Sequence, residues 1–532
     1  MIQQAEQEGT YCNEAEGEAE KLDIQYPTGW RLWLINLALF IGGFLISLDG
    51  TLLGQSVPVI STDFHSLGDI GWYSSVYFMT LSTPQLLFNK LNERYPIRWN
   101  YAASMLIFAL GSAICGAAPN SPTLIFGRAT AGLGAAALLV TTSAYLPFLA
   151  PPSKRPLWIG VFAASMGLGS SSAPLIAGAL TERVSWRWNA SGFFYLNLPI
   201  IACTSGLFLL LVPPRTLDAP AGWKDFLKSL DLVGFATLTP SVVCLLLALQ
   251  IGGNTHEWND GRIIALLILS VVLAIGFAAS ERWQGDMAIV PARILKQRNV
   301  IAAVFYTFCT NGASVTTMYY LPIWFQGAKD FGPLQAGIAT LPLLLSTVTG
   351  SFLSGLLNTL FGHTGLLMIA GSVLTTVGAG VLTTLDINAG SGKWIGYQII
   401  YGLGSGISRQ TPTVCVQQAL EPGDVPTGYT VVTFMTFLAP SIVVSVAQAV
   451  FANILTADLG HLHIPQIDPA TALAGGIKTI TDGLSGEVRN SALEAVNDAT
   501  IHAWRVCLVL CGISTIGALA VDHRKTRVTR KD

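Results

Sequence analysis

Long apolar runs separated by short polar stretches dominate this 532-residue chain. A helix needs roughly 20 apolar residues to cross the hydrocarbon core of a bilayer. Runs of that length fall near 31–53, 72–88, 100–118, 122–146, 157–180, 193–212, 232–251, 261–280, 300–323, 334–357, 365–385, 394–416, 428–455 and 503–521. The pattern predicts fourteen spans, with thirteen or twelve as alternative counts. Segments that must satisfy their own backbone in lipid are helices here, so the fold class is an all-α polytopic membrane protein.

Within the run Leu157–Leu180 there is no charge, and the small residues recur at helical spacing. Gly160, Ala163, Ala164, Gly167, Ser171, Pro174 and Gly178 share one face, against which another backbone can pack closely. Tight packing alone explains such a stripe as well as a special function does. Composition sharpens the class: 51% hydrophobic and 11% charged, where soluble domains carry about 25% charge. The net charge of −2 says little about partners, and no nucleic-acid signature occurs. Eight dispersed Cys without a C-x-x-C imply neither a disulfide framework nor a zinc site. His461-Leu-His463 lacks further ligands nearby and is expected to be loop. The polar segment before residue 31 needs no cleaved signal, because the first span can direct insertion. Lys and Arg concentrate in alternate loops, notably 90–98, 154–155, 293–298 and 524–531. This bias predicts that both termini are cytoplasmic.

Ionisable residues inside spans are functional candidates. Asp49, at the end of the first apolar run, either reaches headgroup water or lines a cavity. Arg128 lies well inside the fourth run, where an arginine costs roughly 2.5–3.5 kcal/mol on insertion scales and calls for a partner or a wet cavity. Arg409, in the twelfth, either faces the cavity and attracts an anion or meets lipid phosphates. Around the second run, Lys90, Arg94 and Arg98 fit an ordinary positive-inside loop, while Glu93, Arg94 and Arg98 could also form a cytoplasmic latch between bundles.

Several segments resemble the major facilitator superfamily, and within it the 14-span drug:proton antiporters, including fungal toxin and multidrug efflux pumps. Leu48-Asp49-Gly50-Thr51 through Pro58-Val59-Ile60 resembles the family's LDxTIVNxALPxI signature. Arg128-Ala-Thr-Ala131-Gly132-Leu-Gly134 resembles RxxQGxGAA, with Ala131 in place of Gln. Gly169 to Gly178 resembles the antiporter signature GxxxGPxxGG, with Ala173 and Ala177 where Gly is usual. Residues 89–98 are a degraded copy of the loop GxLxDRxGRK. Ser185–Trp188 and Phe194–Pro199 resemble SWRWxFYLNLP interrupted by a short insertion, which creates the sequon Asn189-Ala-Ser191, a glycosylation candidate. Tyr319–Gln326 resembles YYLPIWFQ, and Ser354–Gly362 weakly repeats the first-half loop.

The resemblance implies the major facilitator fold: a cytoplasmic tail 1–30, a six-helix bundle 31–212, a connector with two extra spans 213–290, a second six-helix bundle 291–521 and a basic tail 522–532. It implies proton coupling through Asp49 and Arg128, and conformational roles for Gly132, Gly134, Gly169, Pro174 and Gly178. Tyr320, Gln326, Gln410 and Gln417 are candidates to line a substrate cavity. No ATP-binding motif or catalytic constellation occurs, so the expectation is a non-enzymatic exporter of amphipathic toxins, metabolites or drugs. It would work as a monomer without cofactor, on the proton gradient, in the plasma membrane or a vacuolar or vesicle membrane. A 14-span siderophore or other solute importer is the alternative. A membrane sensor fits less well, since such sensors usually carry a long signalling tail.

Overall fold

The computed structural model describes residues 27–64, 70–149, 155–183, 192–212, 231–252, 258–285, 288, 290–421, 423–461 and 487–522. The segment around Asn189 and His463 lie outside them. The chain is helical: α1 Gly29–Asp63, α2 Ile70–Ser82, α3 Gln85–Arg94, α4 Ile97–Gly116, α5 Ser121–Leu149, α6 Arg155–Arg183 and α7 Gly192–Leu211. Then come α8 Leu232–Ile251, α9 Gly261–Gln284 and the short α10 Ala292–Leu295. The rest is α11 Arg298–Gly327, α12 Pro333–Ala339, α13 Leu341–Phe361, α14 Thr364–Leu382, α15 Ser391–Ala419, α16 Val425–His461 and α17 Glu487–Ala520. Among the described residues ten helices are long and apolar enough to cross a membrane. This is an integral membrane protein.

Elements differ from the apolar runs where polar residues can still serve a helix. The second run is two helices, because the turn at Thr83-Pro84 separates α2 from α3. The last helix starts at Glu487, well before the apolar run at 503, so much of the expected loop 456–502 is helical at its two ends. The polar first turn of that helix runs on into Ala492, Ala495 and Val496, which are buried in the second core, while Arg489 pairs with Asp330 at the surface. The interior prolines Pro199, Pro240, Pro322, Pro412 and Pro440 each remove one backbone donor without ending their helix.

The helices pack in two groups. In the first, α1 packs on α6 and α7, and α5 on α2 and α4. Its core stacks Tyr101 on Phe208 at 3.9 Å, and the Tyr101 hydroxyl donates to the Ala38 carbonyl of α1 at 3.2 Å. In the second, α15 packs between α13 and α14, while α17 lies against α11, α14 and α16. Trp324 donates to Asn497 Oδ1 at 2.7 Å and packs against Trp504 with the rings tilted by 46° in that core. Between the groups, α6 runs along α13, and α16 meets α2 and α3.

The pair α8 and α9 forms a hairpin, fastened where Ser241 donates to the Ser270 carbonyl at 2.8 Å. Asp231 caps α8, accepting from the Gly234 amide at 2.8 Å and from Gln284 of α9. Glu281 accepts from the Val290 amide at 2.9 Å, tying the hairpin to the entry of the second group. Val242 and Leu246 of α8 pack on Met79 of α2 and Leu438 of α16, so the hairpin covers the seam between those helices. The outer face of α9 exposes Ile264, Ile268, Val271, Val272 and Ile275, as a helix facing lipid does.

Glycine sets the closest approaches. A Cβ on Gly132 of α5 would overlap the Tyr77 carbonyl of α2, and one on Gly134 would overlap the Phe108 backbone of α4. One on Gly169 of α6 would overlap the Phe44 carbonyl of α1 and lie 3.1 Å from the Leu48 amide. Backbone cannot yield as a side-chain tip can. We expect Gly132→Val to destabilise the protein by about 1–3 kcal/mol or more, lowering its melting temperature in detergent. Gly276→Ala, where the new methyl meets only Thr237 at 3.9 Å, should leave that temperature unchanged.

Candidate functional site

Asp49 and Arg128 meet. Arg128 projects from α5 and donates through Nη1 to Asp49 Oδ2 of α1 at 2.7 Å. Its Nε donates to the Tyr73 carbonyl of α2 at 3.1 Å. Its guanidinium lies over the Tyr77 ring, 4.1 Å from the centroid, a geometry in which the ring face attracts the cation. The Tyr77 hydroxyl in turn donates to the Ile46 carbonyl of α1 at 3.0 Å. Arg128 is 0% and Asp49 1% exposed. The pair therefore joins three helices of the first group out of reach of solvent. It also leaves Asp49 Oδ1 and Arg128 Nη2 buried without a hydrogen-bond partner.

Sequence placed Asp49 and Arg128 in their spans but did not show that they touch. It missed Tyr73 and Tyr77, which flank the pair from α2. The only signal they gave was their spacing of four, which puts both on one helix face. Gly132 lies one turn beyond Arg128 on α5, and its close approach to Tyr77 lets the arginine reach that ring. Gly134 and Gly169 seat α5 on α4 and α6 on α1. Pro174 and Gly178 fall within α6, but their surroundings lie outside the described residues.

At the end where α1 begins and α3 ends, the two groups touch along both seams. Asn89 of α3 donates to Thr427 Oγ1 of α16 at 3.3 Å. Gly160 of α6 faces the Gly355 Cα and the Ser351 carbonyl of α13, each 3.6 Å from where a Cβ would stand. Asn89 sits where the resemblance has glycine, and it provides a polar contact between the groups. Arg98 does not join it. Its guanidinium stacks on its neighbour Trp99 at 5.4 Å, and Trp99 is exposed. Among the described residues Arg98 pairs with no acid of the second group. The side chains of Glu93 and Arg94 lie outside the described residues.

The four cavity candidates do not come together. Tyr320 is fully buried in the second core, its hydroxyl donating to Gln448 of α16 at 2.9 Å. Gln326 is half-buried in the last turn of α11, and Gln417 is half-buried in the last turn of α15, at the opposite end of the bundle. Gln410 is buried about two turns up α15. Their shared polarity suggested one lining, but their depths along α11 and α15 separate them. Among the described residues no group of three His, Cys, Asp or Glu could hold a metal ion.

A helical bundle of this size with a buried ion pair invites comparison with known transporters. The family model described as Major Facilitator Superfamily matches residues 39–444. The chain is 39% identical over 505 residues to the MFS-type transporter astH of Aspergillus oryzae, covering 94% of this chain and 88% of that protein. It is 39% identical over 506 residues to the MFS-type efflux pump MFS1 of Trichophyton rubrum, covering 95% and 94%. It is 37% identical over 519 residues to the efflux pump roqT of Penicillium rubens, covering 97% and 95%. Among solved structures, the human organic anion transporter MFSD10 (TETRAN) superposes with a TM-score of 0.55 at 14% identity, covering 91% of this chain and 99% of that one. A bacterial homologue of the human lysosomal transporter Spinster, inward-facing and occupied, gives 0.54 at 14% identity, covering 93% and 97%. These structural likenesses show the fold, and the sequence matches show the lineage: this chain belongs to the major facilitator superfamily, alongside fungal MFS-type transporters and efflux pumps.

Proposed function

We propose that this protein is a proton-coupled efflux transporter. It exports an amphipathic toxin, secondary metabolite or drug-like compound by alternating access between its two helix groups. The observation that carries the coupling is the buried Asp49–Arg128 pair. A carboxylate held against a guanidinium has a different proton affinity from one whose counter-charge has moved away. Motion of α5 and α2 against α1 would make that change, because Arg128 and Tyr73 sit on the former two and Asp49 on the latter. Efflux as the direction rests on the relatives, several of which are named efflux pumps.

The energetics suffice. One proton entering a cell yields roughly 2.3 kcal/mol per 100 mV of potential, and one pH unit adds about 1.4 kcal/mol. Together these sustain roughly a 500-fold gradient of a neutral solute. Alternating access would separate the contacts at this end, the Asn89–Thr427 hydrogen bond and the Gly160–Gly355 contact.

The export reading is tested in cells lacking the protein, which should retain more of an amphipathic compound and be more sensitive to it. Reduced uptake of a nutrient or iron chelate would instead establish import. In proteoliposomes with an imposed pH gradient, Asp49→Asn and Arg128→Ala should each abolish pH-driven export. Arg128→Ala alone should cost about 3–5 kcal/mol of stability, because it strands a buried carboxylate. The double variant Asp49→Asn with Arg128→Gln should regain most of that stability in a thermal melt while remaining uncoupled. For the contact between the groups, Asn89→Ala and Thr427→Ala should show a coupling of about 1 kcal/mol in a double-mutant cycle. Each should also raise the labelling rate of a cysteine placed at Ser351, behind the closed seam; unchanged labelling would exclude a latch role.

A further inference from the structure

Arg409 is the charge that the coupling scheme leaves unused. It lies on α15, ten residues before that helix ends, which is about 15 Å of helix. It is half-buried. Among the described residues it makes no hydrogen bond and no ion pair. An arginine at such depth is retained against a substantial insertion cost, and an ion partner within the protein does not offset it.

The contacts of α15 fix which way this residue faces. Tyr401, Ser405 and Ser408 meet α11, through Thr317 at 3.0 Å, Ser314 at 2.8 Å and the Tyr306 hydroxyl at 2.9 Å. Gly402 and Gly406 seat α13 against its Leu343, Ser346 and Thr347. At 3.6 residues per turn, Arg409 falls on the strip between these two faces. That strip is turned away from α14, which packs on α15 through Gly371 against Ser408 and Gly378 against Tyr401. Arg409 therefore faces the space between the two helix groups, not the lipid.

A second donor stands on α11, about one helical turn from the level of Arg409. Asn311 of α11 is 3% exposed, and its amide Nδ2 is buried without a hydrogen-bond partner. It lies between Tyr306 and Ser314, the two α11 residues bonded to Ser408 and Ser405, so it is level with the stretch of α15 that immediately precedes Arg409. On α11 it occupies the strip between the face toward α15 and the face toward α16, where Gly312 meets Val443. The guanidinium offers donors alone and the unpartnered Asn311 NH₂ adds another, a combination that favours an acceptor-rich, negatively charged group.

We infer that Arg409, with Asn311 about a turn away, binds the acidic group of the exported compound, so that the substrate class is an amphipathic organic anion such as a carboxylate. This rests on the efflux reading above and narrows its substrate.

The test uses the full-length protein in phosphatidylcholine nanodiscs with two radiolabelled probes of one shape, 2-naphthoate and its uncharged amide, 2-naphthamide. Wild type should bind naphthoate at least 10-fold more tightly than naphthamide. Arg409→Gln should remove that preference while leaving naphthamide binding as in wild type, which also shows that the variant is folded. Arg409→Lys should keep part of the preference, and Asn311→Leu should weaken naphthoate about 3-fold. Equal binding of the two probes by wild type, binding of neither, or a preference that survives Arg409→Gln would each overturn the assignment. So would loss of naphthoate binding on adding phosphatidylglycerol to the nanodiscs, which would make the bound anion a lipid headgroup. Naphthoate that is preferred but not moved by a pH gradient in vesicles leaves the anion site standing and removes the exporter reading. Equal pH-driven export of both probes does the reverse.

Discussion

A guanidinium buried in a membrane bundle must be answered by a negative charge, and Arg128 meets Asp49 at 2.7 Å. Much of the first helix group follows from that contact. To place the pair, α5 must approach α2 closely, which Gly132 allows, and α2 must present a carbonyl and an aromatic face, which Tyr73 and Tyr77 supply. The second hydrogen bond of Tyr77 then returns to α1. A buried pair of this kind contributes little net stability compared with apolar packing, yet removing one partner is costly. It fixes the relative positions of three helices and makes their separation an electrical event.

The two groups, by contrast, meet through contacts that are easily remade. Gly160 lies against Gly355 with nothing interlocked, and Asn89 reaches Thr427 through one neutral hydrogen bond. Neutral bonds of this kind are worth only about 0.5–1.5 kcal/mol net. Charge pairing thus lies inside the first group, and the contacts between the groups are weaker ones between small or neutral residues. The inserted hairpin makes the two seams unequal. Val242 and Leu246 cover the seam of α2 and α16, whereas α6 and α13 meet directly. Any lateral approach of a lipid-dissolved compound thus encounters a different surface on each side.

The sequence by itself determined the class of the protein and the addresses of its charges. Apolar runs of spanning length force helices, because the backbone has no other partner in hydrocarbon. An Asp or Arg within such a run is conspicuous for the same reason, and the family motifs around Asp49, Arg128 and Gly169 were legible residue by residue. Helix ends were less legible: α17 begins at Glu487 inside a polar stretch, where Ala492, Ala495 and Val496 are buried against the second core.

What only the tertiary structure decided was partnership and facing. Asp49 and Arg128 are 79 residues apart in the chain, and Asn89 and Thr427 are 338 apart. Nothing local links such pairs, since their proximity depends on how whole helices cross. Facing is equally non-local. Tyr320 reads as a lining residue from its motif, yet it is fully buried in the second core and bonded to Gln448. Arg409 reads equally as a lipid or a cavity residue until its neighbours Ser405 and Gly406 are seen on α11 and α13. A helix displays every side chain around its axis, and composition reports only that a residue is present. Which strip looks inward is set by the helices packed on either side.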